Sequence, residues 1–267
     1  MDNKISLNAL DVGYNKLNSV VSDVSFDVSA GEIVALIGAN GAGKSTVLKT
    51  ITRQLQKLDG EIRICEVNES DMSEEDMSKA VSMVMTEHIH PELMTCFDVV
   101  ATGRYPYTGT LGILSQDDIK AVQTAIEMVG ATEVAAKDFL KVSDGQRQRV
   151  MLARAICQDT DIMILDEPTS FLDIQYKIDI LSVIKRLAKE QGKAVIMSIH
   201  ELEFVPAIAD KVIGVSEQKV YKVGTPEEIL TGENLEVMYH MASGTGKVMA
   251  DGLWQYAAAL EKLLWQK

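Results

Sequence analysis

Residues 33–46 read IVALIGANGAGKST, and this stretch decides the fold. Ile33 to Ile37 form a short continuous apolar run, as expected for a strand buried on both faces of a parallel sheet. The chain runs on through Gly38, Ala39, Asn40, Gly41, Ala42, Gly43, Lys44, Ser45 and Thr46, which fit the phosphate-loop pattern GxxxxGK[ST] in full. A helical stretch follows from Lys44 to about Gln54. Strand, glycine turn and helix start in that order make an anion site. Backbone N–H groups turn inward, and the helix N-terminus adds partial positive charge. Lys44 is placed to reach the β- and γ-phosphates of a nucleotide, and the Ser45 hydroxyl to ligate Mg²⁺. A second glycine-lysine stretch, Ser243 to Lys247 (SGTGK), lacks the first glycine, replaced by Met241, and the final hydroxyl, replaced by Val248. It reads as a loop.

Working outward, Ile162-Met-Ile-Leu-Asp-Glu167 is an apolar strand ending in two acids. In a protein with a phosphate loop, Asp166 belongs beside Mg²⁺ and Glu167 is placed to orient or deprotonate an attacking water. Ala194 to Ile199 is a third buried strand. Ile5–Leu10 and Val20–Val28 have β character, and Val24, Phe26 and Val28 alternate with polar residues. Glu61–Cys65, Val81–Met85, Val212–Val215 and Val220–Val223 supply further strands. The acidic run from Glu66 to Asp76 reads as a solvated surface. From about Thr95 to Gln158 the pattern is mainly helical. Asp173 opens a long helix with a stripe of Ile174, Ile178, Leu181, Ile184 and Leu187. Leu253 to Leu264 reads as an amphipathic helix, with Trp254 and Trp265 packing on the body. This alternation implies an α/β fold with a mostly parallel sheet. The expected division is one domain over 1–240, with a helical subdomain at about 95–158, and a C-terminal extension over 241–267.

Composition narrows the function. The chain has 26 Lys and Arg against 39 Asp and Glu, a formal charge of −13. An acidic balance argues against nucleic acid as the main partner. The longest stretch free of charged residues, Tyr105 to Gln116, is twelve residues. A spanning helix needs roughly 20 apolar residues, so none is expected. The start MDNKISLNAL has no basic segment followed by an apolar run, so no secretion signal is expected. Cys65, Cys96 and Cys157 form no CxxC and read as small hydrophobes of a reducing compartment.

Further motifs make the chain resemble the ABC ATPases. Val142-Ser-Asp-Gly-Gln146, followed by Arg147-Gln-Arg149, is similar to the LSGGQ signature. Pro168-Thr-Ser-Phe-Leu-Asp173 resembles the D-loop, His200 the switch histidine, and Tyr14 the aromatic that stacks on adenine. Val99 to Tyr107 (VVATGRYPY), Ser115 to Asp118 and Gly224 to Leu230 resemble the importer ATPases for iron-siderophores, haem and cobalamin. The resemblance implies a phosphate-loop core with a parallel sheet, an N-terminal antiparallel β subdomain and a helical signature subdomain. It implies ATP and Mg²⁺ as ligands and a head-to-tail dimer of two copies around two ATPs. Ser143, Asp144, Gly145 and Gln146 would then face the partner's ATP, and Asp173 would link the two sites. Membrane permease subunits would be separate chains, and a substrate-binding protein would act with them. Place in the cell would be the cytoplasmic face of the membrane. A soluble scaffold for iron–sulfur assembly is the alternative.

Two positions depart from the family's pattern. Thr86 stands where a Mg²⁺-touching glutamine is usual, and either Thr86 or Glu87 would take its place. Asp144 replaces the first glycine of the signature. As a common residue at helix starts, it reads as a cap pointing away from phosphate, with a regulatory charge effect as the other reading. His88-Ile-His90 reads as a surface loop against the membrane partner, or as a transition-metal site.

Overall fold

The computed structural model describes residues 2–15, 18–85, 91–109 and 112–264, with side chains to residue 260. Thr86, Glu87, His88, His90 and Trp265 lie outside the described residues. The strands are β1 (Asn3–Asn15), β2 (Asn18–Ser29), β3 (Ile33–Ile37), β4 (Asp59–Ile64), β5 (Val67–Asn68), β6 (Val81–Val84), β7 (Ile162–Asp166), β8 (Ala194–Ser198), β9 (Lys211–Ser216) and β10 (Lys219–Gly224). The helices are α1 (Lys44–Ile51), α2 (Glu74–Ala80), α3 (Cys96–Ala101), α4 (Gln116–Met128), α5 (Asp144–Cys157), α6 (Ile174–Gln191), α7 (Val205–Ile208), α8 (Pro226–Ile229), α9 (Gly232–Tyr239) and α10 (Thr245–Leu264).

All strands join one sheet in the order β5-β4-β1-β2-β10-β9-β3-β8-β7-β6. From β9 to β6 the neighbours run parallel, and β10 turns back antiparallel on β9. The β5-β4-β1-β2 half is antiparallel, and among the described residues its strands pair with the rest of the sheet at one position, Lys219 of β10 with Ser22 of β2.

The short apolar strands are buried on both faces and feed two cores. In β3, Ile33, Ala35 and Ile37 face the helical side, while Val34 and Leu36 face the antiparallel half and α1. Strands β7 and β8 divide in the same way, Met163 and Leu165 against Ile162 and Ile164, Val195 and Met197 against Ala194 and Ile196. This double burial is why these runs are continuous rather than alternating. It fixes the C-terminal ends of β3, β7 and β8 side by side, and the candidate site is built there. Helices α3, α4 and α5 pack on one another, and α5 also packs on β6.

Three expectations change. The acidic run is solvated except at Glu69, which is buried and paired with Lys57 at 3.1 Å. The final helix begins at Thr245, so Thr245, Gly246 and Lys247 form its first turn rather than a loop. It packs on α9, α7 and α6. Cys65 is half-buried, while Cys96 and Cys157 are buried thiols. No helix among the described residues is long and apolar enough to cross a membrane.

Candidate functional site

The loop between β3 and α1 wraps the floor of a cleft of about 640 Å³. Tyr14, Val20, Asn40, Gly41, Gly43, Lys44, Ser45, Thr46, Glu167 and His200 line it. Two glycines are obligatory. Gly38 has φ 147°, and a Cβ there would lie 2.2 Å from the Val215 carbonyl oxygen. Gly43 has φ 102° and would meet Val21 at 2.3 Å. Any side chain at either would open the loop. Lys44 is buried, and its Nζ donates to the carbonyl oxygens of Gly38 (2.8 Å) and Ala39 (3.1 Å). Burial pushes its ammonium below the ordinary lysine range, against the pull of Glu167 and Asp166. Tyr14 is exposed at the cleft rim.

Asp166 and Glu167 end β7 beside this loop. Asp166 is fully buried and accepts from the hydroxyls of Ser45 (2.9 Å) and Ser198 (2.6 Å). Glu167 takes φ 49°, a left-handed backbone unusual for a residue with a side chain. The turn carries its carboxylate off the strand line into the cleft. There Oε1 meets His200 Nε2 at 2.5 Å, and Oε2 accepts from Ser170 Oγ at 3.0 Å. The structure thus brings Lys44, Ser45, Asp166, Glu167 and His200 into one place. A hydroxyl beside a buried carboxylate is a pair of hard oxygen donors, the chemistry a Mg²⁺ ion needs.

The signature residues do not join them. Ser143, Asp144, Gly145 and Gln146 line a second cleft with Phe171, Leu172 and Asp173, and it shares no lining residue with the first. The sequence expectation that Asp144 caps the helix is corrected. Ser143 is the cap: its Oγ accepts the Gln146 N–H (3.3 Å), and Gln146 Oε1 accepts the Ser143 N–H (3.1 Å). Ser-x-x-Gln satisfies both donors reciprocally and leaves Asp144 in the first turn, where it pairs with Arg147 at 2.7 Å. Asp173 precedes α6 and makes no side-chain cap bond.

Several supporting residues carry no motif. Ser198 Oγ bonds Asp166 and also accepts the Glu167 N–H at 3.0 Å. A lone hydroxyl in the run AVIMSI was the one available signal. Gln148 on α5 donates to the carbonyl oxygens of Glu167 (3.4 Å) and Pro168 (3.3 Å). Tyr239 on α9 accepts the buried Gly38 N–H at 3.1 Å, and burial pushes its own hydroxyl up to about 12. Tyr239→Phe leaves that N–H unpaired, a cost of about 1–2 kcal/mol. Thermal unfolding should show a fall of roughly 2–8 °C in the midpoint. An unchanged midpoint would mean that water takes the place of the hydroxyl.

A phosphate loop, an acidic strand end aimed at it and a capped signature helix on a mixed sheet define an ATP-binding cassette. Residues 21–170 match the ABC transporter family, and the chain belongs to that family. It is 39% identical to an uncharacterised ABC transporter ATP-binding protein of Methanocaldococcus jannaschii, covering 87% of this chain and 80% of that one. It is 33% identical to the iron(3+)-hydroxamate import ATP-binding protein of Bacillus subtilis, over 90% of this chain and 88% of that one. A ferric enterobactin transport ATP-binding protein of Escherichia coli is 32% identical over 86% and 84%. A solved metal-chelate type ABC transporter in an inward-facing conformation superposes with a TM-score of 0.77 at 29% identity, covering 90% of each chain.

Proposed function

We propose that this chain is the ATP-hydrolysing subunit of an importer that takes up an iron-siderophore-type chelate. The observation that carries the ATPase reading is the Glu167–His200 bond at the mouth of a triphosphate-sized cleft. In this reading the loop N–H groups and Lys44 hold the β- and γ-phosphates, and Tyr14 stacks on adenine. Ser45 and Asp166 would hold Mg²⁺, which neutralises phosphate charge when bound. Glu167 takes the proton of the attacking water and His200 holds that water and the γ-phosphate. The second cleft, with Ser143, Gly145 and Asp173, supports a head-to-tail dimer in which each copy closes the other's ATP.

The chelate cargo is supported by two of these relatives, one named for iron(3+)-hydroxamate import and the other for ferric enterobactin transport. Haem and cobalamin remain the neighbouring cargo classes. Permease subunits would be separate chains, with this one held at the cytoplasmic face of the membrane. Tyr105, Pro106, Met77 and Met83 line a groove of about 300 Å³ between α2, β6 and the turn after α3, and this groove suits a permease contact.

The test is a pull-down of the full chain from detergent-solubilised membranes. A polytopic permease should co-purify, and ATP turnover of the complex should rise when a ferric chelate and its binding protein are supplied. Recovery of soluble proteins alone would replace import with the scaffold reading.

A further inference from the structure

The acid next to the switch histidine has no assigned role, yet it joins three segments of the site. Glu201 Oε2 accepts from Thr169 Oγ1 at 3.0 Å, and Oε1 accepts from Lys177 Nζ. Thr169 is fully buried, two residues beyond Glu167, and Lys177 stands one turn beyond Asp173 on α6. Four side-chain hydrogen bonds therefore stitch the two strand ends: Ser198 to Asp166, Ser198 to the Glu167 N–H, Glu167 to His200, and Thr169 to Glu201. Through Lys177, the last stitch brings in the start of α6, which borders the signature cleft. Glu201 itself is held from behind, because the buried Leu202 and Phe204 follow it and the Phe204 N–H donates to its carbonyl oxygen at 3.1 Å.

Charge supports the geometry. Burial alone would raise the Glu201 carboxyl, but the Lys177 and Thr169 donors overcome it and hold it below the ordinary range. The group is thus a carboxylate at neutral pH. A half-buried carboxylate with two fixed donors has one low-energy orientation, so the backbone of the adjacent His200 is fixed with it.

We propose that Glu201 is a positioning residue for ATP hydrolysis, holding His200 against Glu167 and tying both to the start of α6. The inference rests on the ATPase reading above. In that reading the start of α6 touches the partner's half of the dimer. Lys177–Glu201 is then a short link between the face that senses the partner and the histidine that serves this chain's own ATP.

Three variants of the full chain test this: Glu201→Ala, the isosteric Glu201→Gln and Lys177→Met. Each is measured for steady-state ATP turnover and for equilibrium ATP affinity. Glu201→Ala should cut kcat about tenfold and leave ATP affinity within about twofold, because the residue orients the hydrolytic pair and does not face phosphate. Glu201→Gln and Lys177→Met should each cut kcat about threefold. Their combination should be no worse than either alone, since both break one ion pair. Wild-type turnover in both Glu201 variants would overturn the proposal, and so would affinity that falls in step with kcat. A wild-type chain that binds but does not hydrolyse ATP would instead overturn the ATPase reading beneath it.

Discussion

Glu167→Gln leaves ATP binding intact and lowers turnover by about a hundredfold, the scale of a general base. The substitution keeps the volume and leaves hydrogen-bonding groups facing Ser170 and His200, which now meet the Glu167 carboxylate at 3.0 and 2.5 Å. What is lost is the charge and the basic oxygen. The left-handed backbone at φ 49° stays as it is, because the turn is set by the chain and not by the carboxylate. ATP affinity should hold or rise, since an anion close to Lys44 and the phosphate loop has gone. Bound ATP that is not cleaved keeps the two copies together, so the variant should accumulate as a dimer in ATP. Phosphate release and size-exclusion light scattering read these two effects separately. Turnover within twofold of wild type would remove Glu167 from the role of base.

The elements of the site that have local causes were legible in the sequence. Five apolar residues before GxxxxGKST read as a buried strand feeding a phosphate loop, and β3 keeps those bounds while α1 begins at Lys44 as expected but ends at Ile51, three residues short of the expected Gln54, with Arg53 at φ 59°. The two acids at the end of β7 were readable for the same reason, since the strand runs only one residue past its apolar run, to Asp166. Asp144 was misread because helix-start preference ranks single residues, whereas the reciprocal Ser143–Gln146 box satisfies two donors at once. The early start of α10 was hidden by Gly244 and Gly246, which look like loop residues. Gly246 sits there because a Cβ would lie 2.1 Å from the Gly232 carbonyl oxygen, so glycine marks close helix packing and not a turn. The remaining contacts were out of reach for a different reason. Tyr239 meets Gly38 across 201 residues of chain, and Glu201 meets Thr169 across 32. No local period connects such pairs: the β8–β7 pairing brings Glu201 to Thr169, and the packing of α9 on β9, next to β3, brings Tyr239 to Gly38.

The separation of the two clefts carries the other large prediction. Lys44→Ala disables the phosphate cleft, and Ser143→Arg obstructs the signature cleft. Neither residue lines the other's cleft. Losing the Ser143 cap costs about 1 kcal/mol, too little to unfold a domain of this size. Each variant alone gives a dimer with two damaged ATP sites and should retain only a few per cent of wild-type turnover, about the scale of a lost catalytic contact. Equal amounts of the two, mixed and allowed to exchange, form mixed dimers in half of the pairings. In a mixed dimer one site collects both lesions, and the other pairs an intact Lys44 loop with an intact Ser143 helix. Turnover should therefore recover to about a quarter of wild type if the sites act independently and the dimer is a two-fold, head-to-tail pair. Recovery well above that value would mean that one intact site can drive both copies. No recovery would mean either that hydrolysis needs two live sites or that the signature serves its own chain. Titrating wild-type subunits into each variant separates these two, because a same-chain site gains activity in proportion to the wild-type fraction, while a dimer that needs two live sites gains it as the square of that fraction.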